Sequence, residues 1–311
     1  MLSRIAESLF WIGRYVERAD DTARILDAFL ARLLDDPWSD EDSACRSLLA
    51  ILGVADSGQH RLTAGDALER LAFETGDPSA ISGAIIAARE NARGARETIS
   101  SEMWECLNVT WHTMPNRRRA AERLGPTLFL SFVRERAAVL AGLAESTMSR
   151  DEGWRFLVLG RSLERVDMTA RLLSVQLLTS GAGDWRTVLR ACGADESFLR
   201  THGGTLDPAR VVEFLLLDRL FPRSALHALT AAEQCLRDLA PATERAGVRD
   251  AARRPIGQAR TRLEYADLSH LLDELPIHLQ ALQKACAACS AAVSERYFTH
   301  AAPVAWAHEE N

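Results

Sequence analysis

The chain has 311 residues, 47% hydrophobic and 26% charged, with a formal net charge of −6 and a pI near 5.8. That length buries a large core without staples, and the acidic balance repels phosphate backbones and anionic lipid, so nucleic acid and membrane surfaces are excluded as partners. No stretch reaches the roughly 20 consecutive apolar residues of a membrane span, and Arg4, Glu7, Arg14 and Glu17 interrupt what would be the apolar run of a signal peptide, so the expected location is the cytoplasm.

Strand patterns are nearly absent and apolar residues recur with a period near 3.6, which predicts an all-α, multi-helix bundle of about ten or more helices. The first helix is expected from about Ser3 to Leu34, ended by Asp35, Asp36 and Pro37. Others follow at about 41–52, 63–74, 79–108, 117–123 and 127–148, then a long helix over 151–179 that stops at Ser180 to Gly183. Shorter helices are expected near 185–191 and 195–201. The run VVEFLLL reads as a helix rather than a strand, because Asp207 and Pro208 supply an N-cap and a first helical residue. Helices at about 223–246, 250–272 and 275–298 complete a single all-helical domain over 1–300, in two related halves of about 1–150 and 151–300. The tail, 301–311, has no packing pattern and is expected to be disordered. Six cysteines are scattered, and the one CxxC, Cys286 with Cys289, lies in an alanine-rich helical run where small residues ease packing.

The most specific signal is a phrase written twice. WIGRYVERADDTARILD, from Trp11, returns 147 positions later as VLGRSLERVDMTARLLS, from Val158, with nine of seventeen residues shared. Gly13, Glu17, Asp20 and Arg24 fall in one helical stripe, and Gly160, Glu164, Asp167 and Arg171 repeat it. Arg14 and Arg18 form a neighbouring row, matched by Arg161 and Arg165. Apolar residues flank the second copy on both sides, so it is expected to be the more buried. Two readings stand side by side: a structural network of ion pairs, or a ligand or catalytic site made of the same groups. On either reading, glycine at the same place in both copies predicts two helices crossing closely at Gly13 and Gly160.

A third segment, Ala88 to Asn108, sets Arg89, Arg93 and Arg96 along one helical face, with Glu90 and Glu97 beside them and Trp104 and Asn108 further on, able to stack on or hydrogen-bond a ligand. In FPRSALHAL, Pro222 fits a first helical turn and places Arg223 at an anion-binding corner. Tyr297 and Phe298 read as core anchors. No GxGxxG, Walker A, Glu-x-x-His or nucleophile motif is present, so no cofactor is expected. His270, Glu274 and His278 share a helical face, but Pro276 interrupts the run and no metal site is expected there.

The N-terminal MLSRIAESLFWIGRYVERADDTARIL, the ARENARGARETIS…EMWE…N segment, GRSLERVDMTARLL, FPRS and the late RYF together resemble the Alpha-E family, bacterial all-helical proteins named for a Glu-Arg motif, across Met1 to about Phe298. The motif maps onto Glu17 with Arg18 and onto Glu164 with Arg165. The resemblance implies a companion of a circularly permuted ATP-grasp ligase, with a transglutaminase-like protein often encoded nearby, in a system that forms amide or peptide bonds. It supplies no chemical activity for the helical member.

Joined to the physics, this predicts a polar cavity lined by Arg14, Arg18, Asp20, Arg24, Arg89, Arg93, Arg96, Glu97, Trp104, Asn108, Arg161, Arg165, Asp167, Arg171 and Arg223, holding a peptide-like ligand by its carboxylate or phosphate. The favoured role is an accessory partner of the ligase. The alternatives are an amide-forming or amide-cleaving transferase, with Glu17 or Glu164 as an acid/base whose pKa burial would raise, and a helical scaffold.

Overall fold

A computed structural model describes residues 1–36, 40–56, 58, 60–178, 184–204, 206–241 and 245–298, and the expected tail and the Ser180 to Gly183 stop lie outside them. Among the described residues every regular element is a helix or helical turn, with no strand. In chain order it runs α1 Ser3–Asp35, α2 Glu41–Leu52, α3 Ala64–Leu68 continued by a π turn at Glu69–Phe73, α4 Ile81–Gly94, α5 Ser101–Leu124, α6 Thr127–Thr147 and α7 Glu152–Leu178. Then come α8 Trp185–Ala191, α9 Asp195–His202, α10 Pro208–Leu217, α11 Ala225–Leu239, α12 Arg253–Glu264, α13 Leu268–Asp273 and α14 Leu275–Val293, closed by a π turn at Ser294–Phe298.

The two long helices that carry the repeated phrase are the spine. Leu9, Phe10, Ile12, Ala19, Ala23 and Leu26 of α1 and Leu159, Leu163, Val166, Ala170 and Leu173 of α7 are buried, so burial of each apolar stripe drives the pair together. α1 also packs on α4, α6 and α8, and α7 on α11, α14 and α2, so the spine sits at the centre of the bundle. The late aromatics anchor the chain end on it: Phe298 lies 5.5 Å from Phe10 and Tyr297 5.2 Å from Phe156, centroid to centroid.

Four boundaries differ from the sequence reading. The segment expected as one helix over 79–108 breaks between Ala95 and Ser100, because Ser100 accepts a hydrogen bond from Met103 N–H as the N-cap of α5. The piece expected at 117–123 is the end of that same α5, which runs through Pro115. Arg136 of α6 ties down the turn before it, donating to Thr110 Oγ1 at 2.9 Å and to the Cys106 carbonyl at 3.2 Å, so packing overrides the local cost of proline. The expected 223–246 helix ends at Leu239, and 250–272 divides where Asp267 caps α13 by accepting from Ser269 and His270 N–H. The helix after Asp207 and Pro208 forms as expected, with Asp207 accepting from Ala209 N–H.

Candidate functional site

The crossing of α1 and α7 is as close as the paired glycines predict. A Cβ on Gly13 would stand 2.1 Å from the Leu157 carbonyl oxygen, and one on Gly160 the same 2.1 Å from that of Phe10. No side chain fits at either point, so the backbones themselves touch.

That contact brings the Glu-Arg pairs together crosswise. Arg18 of the first copy grips Glu164 of the second with two hydrogen bonds, Nε to Oε1 at 2.6 Å and Nη2 to Oε2 at 3.1 Å. Arg165 of the second copy grips Glu17 of the first in the same way, at 2.6 and 2.8 Å. Both are two-pronged guanidinium–carboxylate pairs, the strongest geometry available to these groups. Each arginine spends its third nitrogen on a proline carbonyl just before the helix flanking the spine: Arg18 on Pro78 before α4, Arg165 on Pro222 before α11, at 3.4 and 3.0 Å. One turn on, Asp20 accepts from Arg24 Nε at 3.1 Å and Asp167 from Arg171 Nε at 2.8 Å. Arg24 then lies against Gly193 and Arg171 against Gly53, glycines with φ of +60° and +71° at the ends of α8 and α2. The sequence phrase is therefore repeated as a set of contacts.

The two copies differ in what else reaches them. Arg223, just ahead of α11, enters the first copy and bridges Glu17 at 3.2 Å, Asp21 at 2.5 Å and Asp20. Burial alone would raise the Glu17 pKa, but Arg165 and Arg223 outweigh it and hold the carboxyl at about 2. The expectation that burial would make Glu17 a base near neutral pH is thus corrected by its partners. Burial and the Glu17 charge instead push the neighbouring Asp21 up to about 8. At the second copy Arg14 stands 3.1 Å from Glu164, while its counterpart Arg161 makes no ion pair among the described residues and is pulled down by burial and by Arg165. Nor is the second copy uniformly the more buried: Glu164 is 2% exposed against 6% for Glu17, but Arg171 is 38% exposed against 19% for Arg24.

The network closes on itself. The void beside Asp21, Cys192 and Arg223 is about 10 Å³, at the lower limit for a single water, so the expected guest cavity between the repeated helices is filled by the motif's own side chains. Glu17, Asp20 and Asp21 come close enough to hold a cation, but Arg223 occupies that position with its own charge.

The remaining expected residues lie elsewhere, and no hydrogen bond or ion pair among the described residues joins them to the crossing. α5 folds back on α4 after the break at Ser100, so Arg89 donates to Asn108 Oδ1 at 2.9 Å and lies over the rings of Trp111 and Trp104, 4.2 and 5.5 Å from their centroids. Arg96 covers Trp104 at 4.8 Å, Arg93 pairs with Glu90, and Glu97 stays exposed. Trp104 and Asn108 thus hold arginines of their own chain. A cleft of about 570 Å³ opens by Arg24, with Arg134 from α6 and Arg190 from α8 facing Asp27, Asp195 and Glu196, and Arg190 makes no ion pair among the described residues. Asp21, Arg134 and Arg190 were not singled out from the sequence. The Asp-Asp pair at 20–21 inside an otherwise apolar turn was the visible signal for the first, and the other two carry none.

A family model described as Alpha-E, a predicted alpha-helical domain with a conserved ER motif, matches residues 1–298. An uncharacterized protein of Mycobacterium tuberculosis H37Rv is 27% identical over 268 residues, and one of Mycobacterium bovis 26% over 262. Each match covers 76% of this chain and 30% of the relative, so the chain spans about 30% of the length of the curated relatives it matches. No solved structure matches it.

Proposed function

The chain belongs to the Alpha-E family, and from that premise we propose that it is a non-catalytic helical partner of an ATP-grasp-type ligase in a system that forms amide or peptide bonds. The observation that carries this reading is the crosswise locking of Glu17 with Arg165 and of Glu164 with Arg18. Both glutamates are buried and already accept from two guanidinium nitrogens, and Glu17 is held ionised, so neither is free to move a proton to or from a substrate. The Glu-Arg motif on this reading builds a rigid spine, and the bond-forming chemistry belongs to the partner.

A carboxylate- or phosphate-bearing ligand, if the partner's substrate is shared, belongs in the cleft at Arg24, Arg134 and Arg190, where Arg190 makes no ion pair among the described residues. The test is co-expression with an ATP-grasp protein, followed by co-purification across salt and nucleotide conditions. A stable complex whose product formation survives Glu164→Gln in proportion to the folded fraction is the expected result. Product formation abolished while fold and complex remain intact would assign the glutamate a chemical role and overturn the reading, as would failure to form a complex under every condition.

A further inference from the structure

We propose that His270, Glu274 and His278, one face of the α13–α14 junction, form a surface site for a single divalent transition-metal ion of the zinc, nickel or copper class. The sequence argued against it because Pro276 falls inside the triplet. The structure removes that objection: Pro276 lies in the first turn of α14, where a helix has no use for its missing N–H. The helical register also carries across the junction. Glu274 N–H donates to the His270 carbonyl at 3.2 Å, and the N–H groups of Ile277 and His278 donate to the Glu274 carbonyl at 2.9 and 3.1 Å. The spacing of four and four therefore survives, and the three side chains stack on one face.

One ligand atom from each residue lies within 4.8 Å of the others, and His270 Nε2 is 3.9 Å from Glu274 Oε1. A tetrahedral ion with bonds of about 2.0–2.1 Å holds its ligand atoms about 3.3 Å apart. The closing movement is at most about 1.5 Å, and His270 and Glu274, 69% and 47% exposed, are free to make it by rotamer changes. An independent observation points the same way. His278 Nε2 is buried and has no hydrogen-bond partner, a cost that native structures rarely leave unmet. One ring nitrogen of the same imidazole is among the ligand atoms gathered within 4.8 Å. Two imidazoles and one carboxylate select the nitrogen-binding end of the divalent series over magnesium or calcium, and three ligands leave a position open to water or to a group from a bound partner. Arg262, on α12, lies near enough for its charge to disfavour a second positive charge at His278, and it opposes the ion's charge. The site is remote in sequence from the Glu-Arg clasp and does not rest on the ligase-partner reading.

The test is titration of chelator-treated full-length protein with Zn²⁺ by calorimetry, with Co²⁺ as the spectroscopic probe and Mg²⁺ as competitor. One equivalent is expected to bind, with no competition from Mg²⁺. His270→Ala, exposed and safe for the fold, is expected to weaken binding at least tenfold with an unchanged melting temperature, Glu274→Gln to do the same, and Arg262→Gln to tighten it several-fold. Absence of Zn²⁺ binding to the wild-type chain, or binding unaltered in both His270→Ala and Glu274→Gln, would overturn the proposal and send any residual affinity to the cysteines or the other histidines.

Discussion

The same phrase, set in two surroundings, yields two different electrostatic solutions. In α1 the turn after Glu17 continues with Asp20 and Asp21, and Arg223 arrives from outside the phrase to serve three carboxyls at once. In α7 the position matching Asp21 is Met168, no counterpart of Arg223 reaches Glu164 among the described residues, and Arg14 from within the other copy stands beside it instead. The first copy is rich in carboxyls and its Asp21 is pushed above the usual carboxylate range, while in the second the buried Glu164 is shared by two arginines. Shared residues fix the crossing and the crosswise pairs, and unshared ones decide how the surplus charge is settled.

The largest effect that sharpens this contrast is expected from the glutamates. Glu164→Ala strands Arg14 and Arg18 without their carboxylate and should cost about 3–5 kcal/mol in urea unfolding. Glu17→Ala should cost less, because Asp20 and Asp21 still serve Arg223; the reverse order would contradict the account of the two copies. Next, Gly13→Ala and Gly160→Ala should each lose about 3 kcal/mol, since the added methyl meets backbone that can only move apart. A marked inequality between them would break the equivalence of the two contact points.

A pH series separates the copies again. The folded pKa of Asp21 is raised, so its contribution to stability is full below the ordinary carboxyl value and drains away as pH rises through about 8. Glu17, held at about 2, contributes above its ordinary value near 4.5 and is lost as pH falls towards 2. Asp21→Asn should therefore flatten the decline in stability between pH 5 and 8, by about 1 kcal/mol or more across that window, in melting experiments compared with wild type; an unchanged slope would place the proton elsewhere. The smallest effect belongs to the outer pairs. Arg171→Met, at a partly exposed i,i+4 pair, should change stability by no more than about 0.5 kcal/mol, and the less exposed Arg24→Met by more.

Much of this was legible in the sequence because it follows from spacing along one helix. The stripe of Gly13, Glu17, Asp20 and Arg24 and its repeat, the close crossing at the glycines and the helix after Asp207 and Pro208 all depend on residues near one another in the chain. The expected cavity failed for a reason that spacing cannot express. Helical wheels place Arg18 and Glu164 each on a face but leave open whether the two faces meet with a gap or in contact, and here the glycines bring them close enough to consume each other's charge. The Ala88 to Asn108 face failed because the Ser100 cap outweighs helical continuity, and the chain's reversal there turns Trp104 and Asn108 towards Arg89. Pro276 is a different case: the expected helix start at 275 already placed it in a first turn, and the structure adds that the hydrogen bonds at Glu274 carry the register across the junction.

By itself the sequence determined the helical class, the two long motif helices and the points at which they must touch, because periodicity, glycine and capping chemistry act over a few residues. Tertiary structure alone decided which guanidinium meets which carboxylate, that Arg223 completes the first copy and not the second, and that burial beside Glu17 pushes Asp21 upward. Those outcomes depend on groups 146 to 203 positions apart sharing one dry space, where each charge is fixed by whichever opposite charge is packed against it.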